Sequence, residues 1–242
     1  MSTLSKNVIE QAKQRAGERA TEFVREGMIV GLGTGTTARY AVLKLAQLHR
    51  EGFNFIGIPT SRETERLARE QGLPLTTLED CPQVDLSIDG ADEVDAAFNL
   101  IKGGGGALVR EKIVAQASAQ VIIVVDETKL VKELGRHSRL PVEVVPFGWR
   151  SVARQIETLG GVPLRRTLPD GTPLVTDNGN YLLDCRFPGI PNPTRLEAQL
   201  NALAGVVDCG LFIGLADVVI VGYADQVEVL QRPEPKQGYC PK

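Results

Sequence analysis

Between Ser87 and Lys112 the chain sets Asp89, Asp92, Lys102 and Glu111 around a stretch of bare backbone. Asp89-Gly90-Ala91-Asp92 is followed by Lys102, by Gly103 to Gly106, and then by Arg110-Glu111-Lys112. These residue types suit proton transfer on an anionic substrate. Two carboxylates meeting in a cleft raise each other's proton affinity, so that one can exchange protons with hydroxyl groups near neutral pH. A nearby lysine offers a cation to an oxygen that becomes negative during reaction, the service a Mg²⁺ would otherwise provide; metal ligation is the rival use of the same aspartates. The glycines remove side chains where a ligand must approach backbone N–H groups. Glu111 falls about one turn inside a helix opening on those glycines. Burial there would raise its proton affinity, while the helix terminus and neighbouring lysines would lower it. Each residue also has a blander use, Asp89 and Asp92 as a turn or cap pair and Glu111 as a solvated helix residue.

A second loop, Gly31-Leu32-Gly33-Thr34-Gly35-Thr36-Thr37, lies between an expected strand and an expected helix, where N–H groups and the helix dipole favour an anion. It fails the nucleotide tests. A dinucleotide fingerprint needs glycine where Thr36 stands, and a P-loop needs Gly-Lys in place of Thr36-Thr37. Hydroxyls with backbone N–H groups suit a terminal phosphate monoester held without metal, the alternative being a tight turn with a threonine N-cap. Lys129, in Asp126-Glu127-Thr128-Lys129-Leu130, follows another apolar run and is either a substrate-facing cation or an ordinary surface lysine.

The elements that must position these groups follow from periodicity. Apolar residues from Val8 to Val24 recur at helical spacing before Gly27. Met28–Leu32, Phe55–Ile58, Val84–Ile88 and Val121–Val125 read as buried strands, with helices at Ala38–His49, Arg62–Gln71 and Ala107–Ala115. This alternation predicts an α/β fold, a mostly parallel sheet with helices on both faces, and puts Asp89 and Asp92 at the carboxyl edge where such sheets bind ligands. After about Gly135 the pattern becomes strand Pro141–Val145, helix Trp149–Leu159, strands Leu164–Thr167 and Tyr181–Phe187, and helix Arg195–Leu203, a smaller inserted α+β domain. Val206–Ile213 and Val218–Gly222 are expected to return to the first sheet, giving one domain over 1–134 and 208–242 and another over 135–207. The tail from Arg232, with Pro233, Pro235 and Gly238, is expected to be poorly ordered.

Composition narrows the partners. A formal net charge of −3 and 5% aromatic residues argue against a nucleic-acid surface. Cys81, Cys185, Cys209 and Cys240 form no CxxC pair, and with only His49 and His137 available no zinc spacing can be built. Unpaired thiols fit a reducing cytosol. No apolar run is long enough to span a bilayer and the N-terminus lacks an apolar core, so the expectation is a cytoplasmic protein with a small-molecule substrate, no nucleic acid and no membrane.

With these residues assembled, the chain resembles ribose-5-phosphate isomerase type A, in GLGTGTTA (31–38), SIDGADEVD (87–95), KGGGGALVREKI (102–113), DETKL (126–130), LPVEV (140–144), VTDNGNYLLD (175–184) and LNALAGVV (200–207). The resemblance implies a Rossmann-like domain with a smaller α+β domain, a homodimer or homotetramer, and interconversion of ribose 5-phosphate and ribulose 5-phosphate with no cofactor or required metal. By position it makes Glu111 the base moving a proton between C2 and C1 through an enediolate, with Lys102 stabilising the oxyanion. Asp89 and Asp92 would handle sugar hydroxyls, Asp89 assisting ring opening. Thr34, Gly35, Thr36 and Thr37 would hold the phosphate; Lys129 matches a substrate-facing lysine and Lys13, on the first helix, one near the phosphate. Thr36 stands where some relatives have serine, and Gly106 where alanine also occurs. The competing classes are a sugar-phosphate-sensing module, which would normally carry a DNA-binding segment, and an amino-sugar phosphate deaminase, which would release ammonia.

Overall fold

Strands that are apolar at every position can be satisfied only between two covered faces. The structure, a computed structural model, describes residues 5–232; beyond Arg232 the tail lies outside the described residues. Chain order begins α1 (Lys6–Ala20), β1 (Ile29–Leu32), α2 (Ala38–Arg50), β2 (Ile56–Pro59), α3 (Arg62–Glu70), β3 (Val84–Gly90), β4 (Glu93–Val94), β5 (Leu100–Ile101), α4 (Leu108–Ala117) and β6 (Ser118–Asp126). It continues with β7 (Leu140–Val144), α5 (Trp149–Thr158), β8 (Val162–Arg165), β9 (Tyr181–Arg186), α6 (Pro193–Asn201), β10 (Val206–Cys209), β11 (Leu211–Phe212), β12 (Val218–Gly222) and β13 (Val227–Gln231).

Two compact units result: Met1–Ala91 with Arg110–Leu130 and Gly214–Lys242, and Asp92–Val109 with Val131–Ile213. In the first, six strands run in the order β13-β12-β6-β3-β1-β2. All pairs are parallel except β12 with β13. One face carries Val30, Leu32, Leu86, Ile88, Ile122 and Val124, packed with Ala16 and Ala20 of α1 and Ala41, Val42 and Leu45 of α2. The opposite face receives α4. A methyl placed on Gly31 would stand 2.6 Å from Val114 Cγ1, so glycine is what lets α4 approach β1. Helices therefore cover both faces, as the apolar alternation requires.

The second unit holds an antiparallel sheet in the order β10-β7-β9-β8 and a small sheet β11-β5-β4. Its core gathers Val142, Val144, Leu183, Cys185 and Cys209 from the strands with Val152 and Ile156 of α5 and Leu200 of α6. Trp149, the chain's single tryptophan, packs partly buried against this core, with the Arg165 guanidinium 4.5 Å and that of Arg150 5.4 Å from its ring centre.

The segment Val206–Ile213 does not return to the first sheet. It divides into β10, paired with β7, and β11, paired with β5. Gly210 makes the break: its N–H donates to the Pro141 carbonyl at 2.7 Å, its carbonyl accepts from Lys102 N–H at 2.8 Å, and a Cβ there would lie 2.2 Å from the Lys102 carbonyl. Apolar composition alone gave no sign of this change of partner, which depends on close backbone approach. Val218–Gly222 does join the first sheet, as β12.

Candidate active site

In the first unit β1, β3 and β6 are parallel neighbours, so the residues after each strand emerge on one edge. Thr34 to Thr37 follow β1, Asp89 closes β3, and Lys129 ends a 3₁₀ turn, Glu127–Lys129, directly after β6. Asp126 caps that turn, its Oδ1 accepting from Thr128 N–H at 3.0 Å. Glu111 is the fourth residue of α4 and only 4% exposed. Since α4 runs without a loop into the start of β6, its N-terminal turn, with Glu111, lies toward the same carboxyl edge.

Asp89 is 5% exposed, and its Oδ1 accepts from Thr34 N–H at 3.1 Å and Gly90 N–H at 2.8 Å. The aspartate therefore fixes the first residue of the threonine loop as well as facing the edge. Gly33 permits this contact, because a Cβ there would lie 2.3 Å from Asp89 Oδ1.

Thr37 is the N-cap of α2 by position but makes no side-chain cap bond. The plain N-cap alternative thus loses its hydrogen bond, and the helix terminus retains its attraction for an anion. Gly35 and Thr36 are exposed beside it. Thr34, by contrast, turns inward: its Oγ1 donates to Ser61 Oγ at 2.8 Å and shares hydrogen bonds with Thr60 Oγ1 at 2.8 Å and Thr64 Oγ1 at 3.2 Å. Thr64 Oγ1 donates to the Gly33 carbonyl at 2.9 Å and Thr60 Oγ1 to that of Leu32 at 3.1 Å. This buried hydroxyl cluster was not singled out from sequence, although Thr60-Ser61 directly after a strand, with Thr64 three residues on, is a recognisable helix-start pattern.

Lys13 lies on α1 and bonds Glu10 Oε1 at 2.8 Å, while Tyr40 OH of α2 donates to Glu10 Oε2 at 2.9 Å. The lysine and tyrosine hydrogen bonds hold the Glu10 carboxyl below its ordinary range. Gly17, one turn beyond Lys13 on the same face, packs where a Cβ would meet the Thr37 carbonyl at 3.0 Å.

In the second unit Asp92 and Lys102 are brought together by the β4–β5 pairing. Glu93 pairs with Ile101, and Asp92 N–H donates to the Ile101 carbonyl at 2.8 Å, so the two flank the open end of the hairpin. Its closed end turns at Phe98, the only non-glycine residue with positive φ (64°) among the described residues. Asp92 Oδ2 accepts Gly104 N–H at 2.8 Å, tying the acid to the glycine run. Lys102 is 3% exposed, with Nζ 5.4 Å from the Phe212 ring centre.

Two further acids escaped the sequence reading. Glu93 accepts backbone N–H groups from Gly135, His137 and Ser138 at 2.6, 2.8 and 2.5 Å. Glu143 is fully buried, its Oε1 accepting from Thr176 Oγ1, Asn178 Nδ2 and Asn180 Nδ2 at 3.0, 3.2 and 2.8 Å. Both pin loops, and only contacts distant in sequence reveal it. Among the described residues no three His, Cys, Asp or Glu side chains are grouped to hold a metal ion, and no helix is long and apolar enough to cross a membrane.

The family model for ribose 5-phosphate isomerase A (phosphoriboisomerase A) matches residues 56–226. The ribose-5-phosphate isomerase A of Gloeobacter violaceus is 54% identical over 220 residues, covering 90% of this chain and 95% of that protein. A solved ribose 5-phosphate isomerase A from Methanocaldococcus jannaschii superposes with a TM-score of 0.88 at 39% identity, covering 92% of this chain and 99% of the other. A D-ribose-5-phosphate isomerase solved in complex with phospho-erythronic acid gives 0.89 at 37% identity, covering 93% and 99%.

Proposed function

The chain belongs to the ribose 5-phosphate isomerase A family, and on that footing we propose that it interconverts D-ribose 5-phosphate and D-ribulose 5-phosphate with Glu111 as the proton-transferring base. The phosphate is held at the N-terminus of α2 by Gly35, Thr36 and Thr37, with Lys129 and Lys13 supplying positive charge. Asp89 assists opening of the furanose ring, and Asp92 engages a sugar hydroxyl. In the open aldose Glu111 removes the C2 proton; the electron pair forms the C1–C2 double bond and the carbonyl electrons move to O1. Lys102 offsets that negative charge. O2 then gives its proton to O1 as the C2–O2 carbonyl forms, and the proton held by Glu111 is delivered to C1, so atoms and electrons balance and no redox partner is required. One carboxylate can serve both carbons because they lie on one face of a cis-enediolate whose far end is anchored.

The observation that carries this reading is a glutamate 4% exposed in the first turn of α4, on the sheet edge that also presents the Thr34–Thr37 loop and Asp89. Phospho-erythronic acid, bound to the solved relative, joins a phosphate to a planar anionic carboxylate, the two features of a phosphorylated enediolate. Lys102 occupies the role a divalent ion would fill, so turnover is expected to persist in excess EDTA. The test follows ribose 5-phosphate conversion by absorbance in EDTA, beside Glu111→Gln. A loss of kcat of about 10²-fold or more at little-changed KM is expected of a lost general base. A raised KM at unchanged kcat would remove Glu111 from that role.

A further inference from the structure

A run of four glycines has no side chains with which to fix itself, and glycine surrenders more conformational freedom on ordering than any other residue. In the second unit the run after Lys102 is nevertheless held from both sides. Asp92 Oδ2 takes the Gly104 N–H at 2.8 Å. From the other side Arg166 Nη1 donates to the Gly103 carbonyl at 3.2 Å and the Gly104 carbonyl at 2.9 Å. Gly103 and Gly106 have φ of +102° and +84°, so their conformation is open to few other residues.

Arg166 is itself fixed. Its Nε and Nη2 donate to Asp184 Oδ2 and Oδ1 at 2.8 and 2.5 Å, a bidentate fork, with both side chains 17% exposed. The guanidinium plane is thus set by Asp184 on β9, and its remaining nitrogen points at two successive carbonyls directly after Lys102. We propose that Arg166, oriented by Asp184, is a positioning residue for the isomerisation: it fixes the glycine run and through it the backbone from which Lys102 projects. The inference rests on the isomerase reading above. Lysine could not replace it, since an ammonium is a point charge without the planar fork that bonds both carboxylate oxygens and still presents a donor sideways.

The test uses Arg166→Ala and Arg166→Lys in the full chain, the lysine variant retaining charge and most of the volume should the alanine protein fail to fold. Both are expected to lose about tenfold or more in kcat with KM within about threefold. Amide hydrogen exchange at Gly104 and Gly106 should accelerate while α5 stays protected, and millimolar guanidinium, but not methylammonium, should restore part of the Arg166→Ala turnover. Unchanged kcat in variants with faster exchange would overturn the proposal by reducing Arg166 to a structural tie. A rise in KM alone would overturn it by making Arg166 a substrate contact, and unchanged exchange would remove the loop from the argument. Inactive wild-type enzyme would instead defeat the isomerase reading, leaving the exchange measurement to judge the loop.

Discussion

Asp89 uses one carboxylate oxygen on backbone N–H groups of Thr34 and Gly90, so the residue proposed to assist ring opening also sets the entry to the threonine loop after β1. Lys13 is shared in a similar way, paired with Glu10 while one turn from the residue that packs on Thr37. The pair makes a pH-dependent contribution whose sign is fixed. The Lys13 hydrogen bond, then that of Tyr40, lowers the Glu10 carboxyl from 4.5, so its stabilisation is present above that value and disappears as pH falls through the lowered one. Because Glu10 is exposed, the contribution is at most about 0.5 kcal/mol and is screened by salt. Glu10→Gln should therefore melt about 1 °C below wild type at neutral pH. The gap should close below pH 4.5, and a gap that persists in strong acid would place the effect in packing instead.

At the scale of elements, the carboxyl ends of β1 and β3 approach so closely that only glycine fits at position 33. Gly33→Ala is expected to push Asp89 from its place, costing roughly 1–3 kcal/mol of stability by overpacking and about tenfold or more in kcat/KM. Retained activity with lowered stability would separate Asp89's position from its chemistry. The apolar runs and their spacing made β1, β3, β6, α2 and α4 legible in advance, together with the edge on which Asp89, Thr34–Thr37 and Lys129 emerge. Other features were not readable, because they depend on contacts between segments far apart in sequence. The split at Gly210 arises where Lys102 and Pro141 backbone converge, and the Arg166 tie spans some sixty residues. Two-residue strands such as β4, β5 and β11 carry too few positions for a period to appear. Thr34 shows the limit at a single residue: its hydroxyl, which composition offered to a phosphate, is engaged by Thr60, Ser61 and Thr64.

For the whole molecule, each unit has its own apolar core, one around the six-stranded sheet and one between the four-stranded sheet and α5 and α6. A substitution such as Ile122→Ala removes packing from the first core alone and Leu183→Ala from the second, each costing about 2–5 kcal/mol. Trp149 gives these separate cores different optical signatures. It is the only indole in the chain and sits against the second core, with two arginine guanidinium groups near its ring. Intrinsic fluorescence excited at the red edge of the protein band is therefore a private channel to one half of the polypeptide, silent about the parallel sheet. Far-ultraviolet circular dichroism hears both. In a urea titration of Ile122→Ala, coincident midpoints by the two signals mean that loss of the first core carries the second with it. A fluorescence midpoint that stays at the wild-type value while ellipticity falls earlier means that the two halves melt as separate phases.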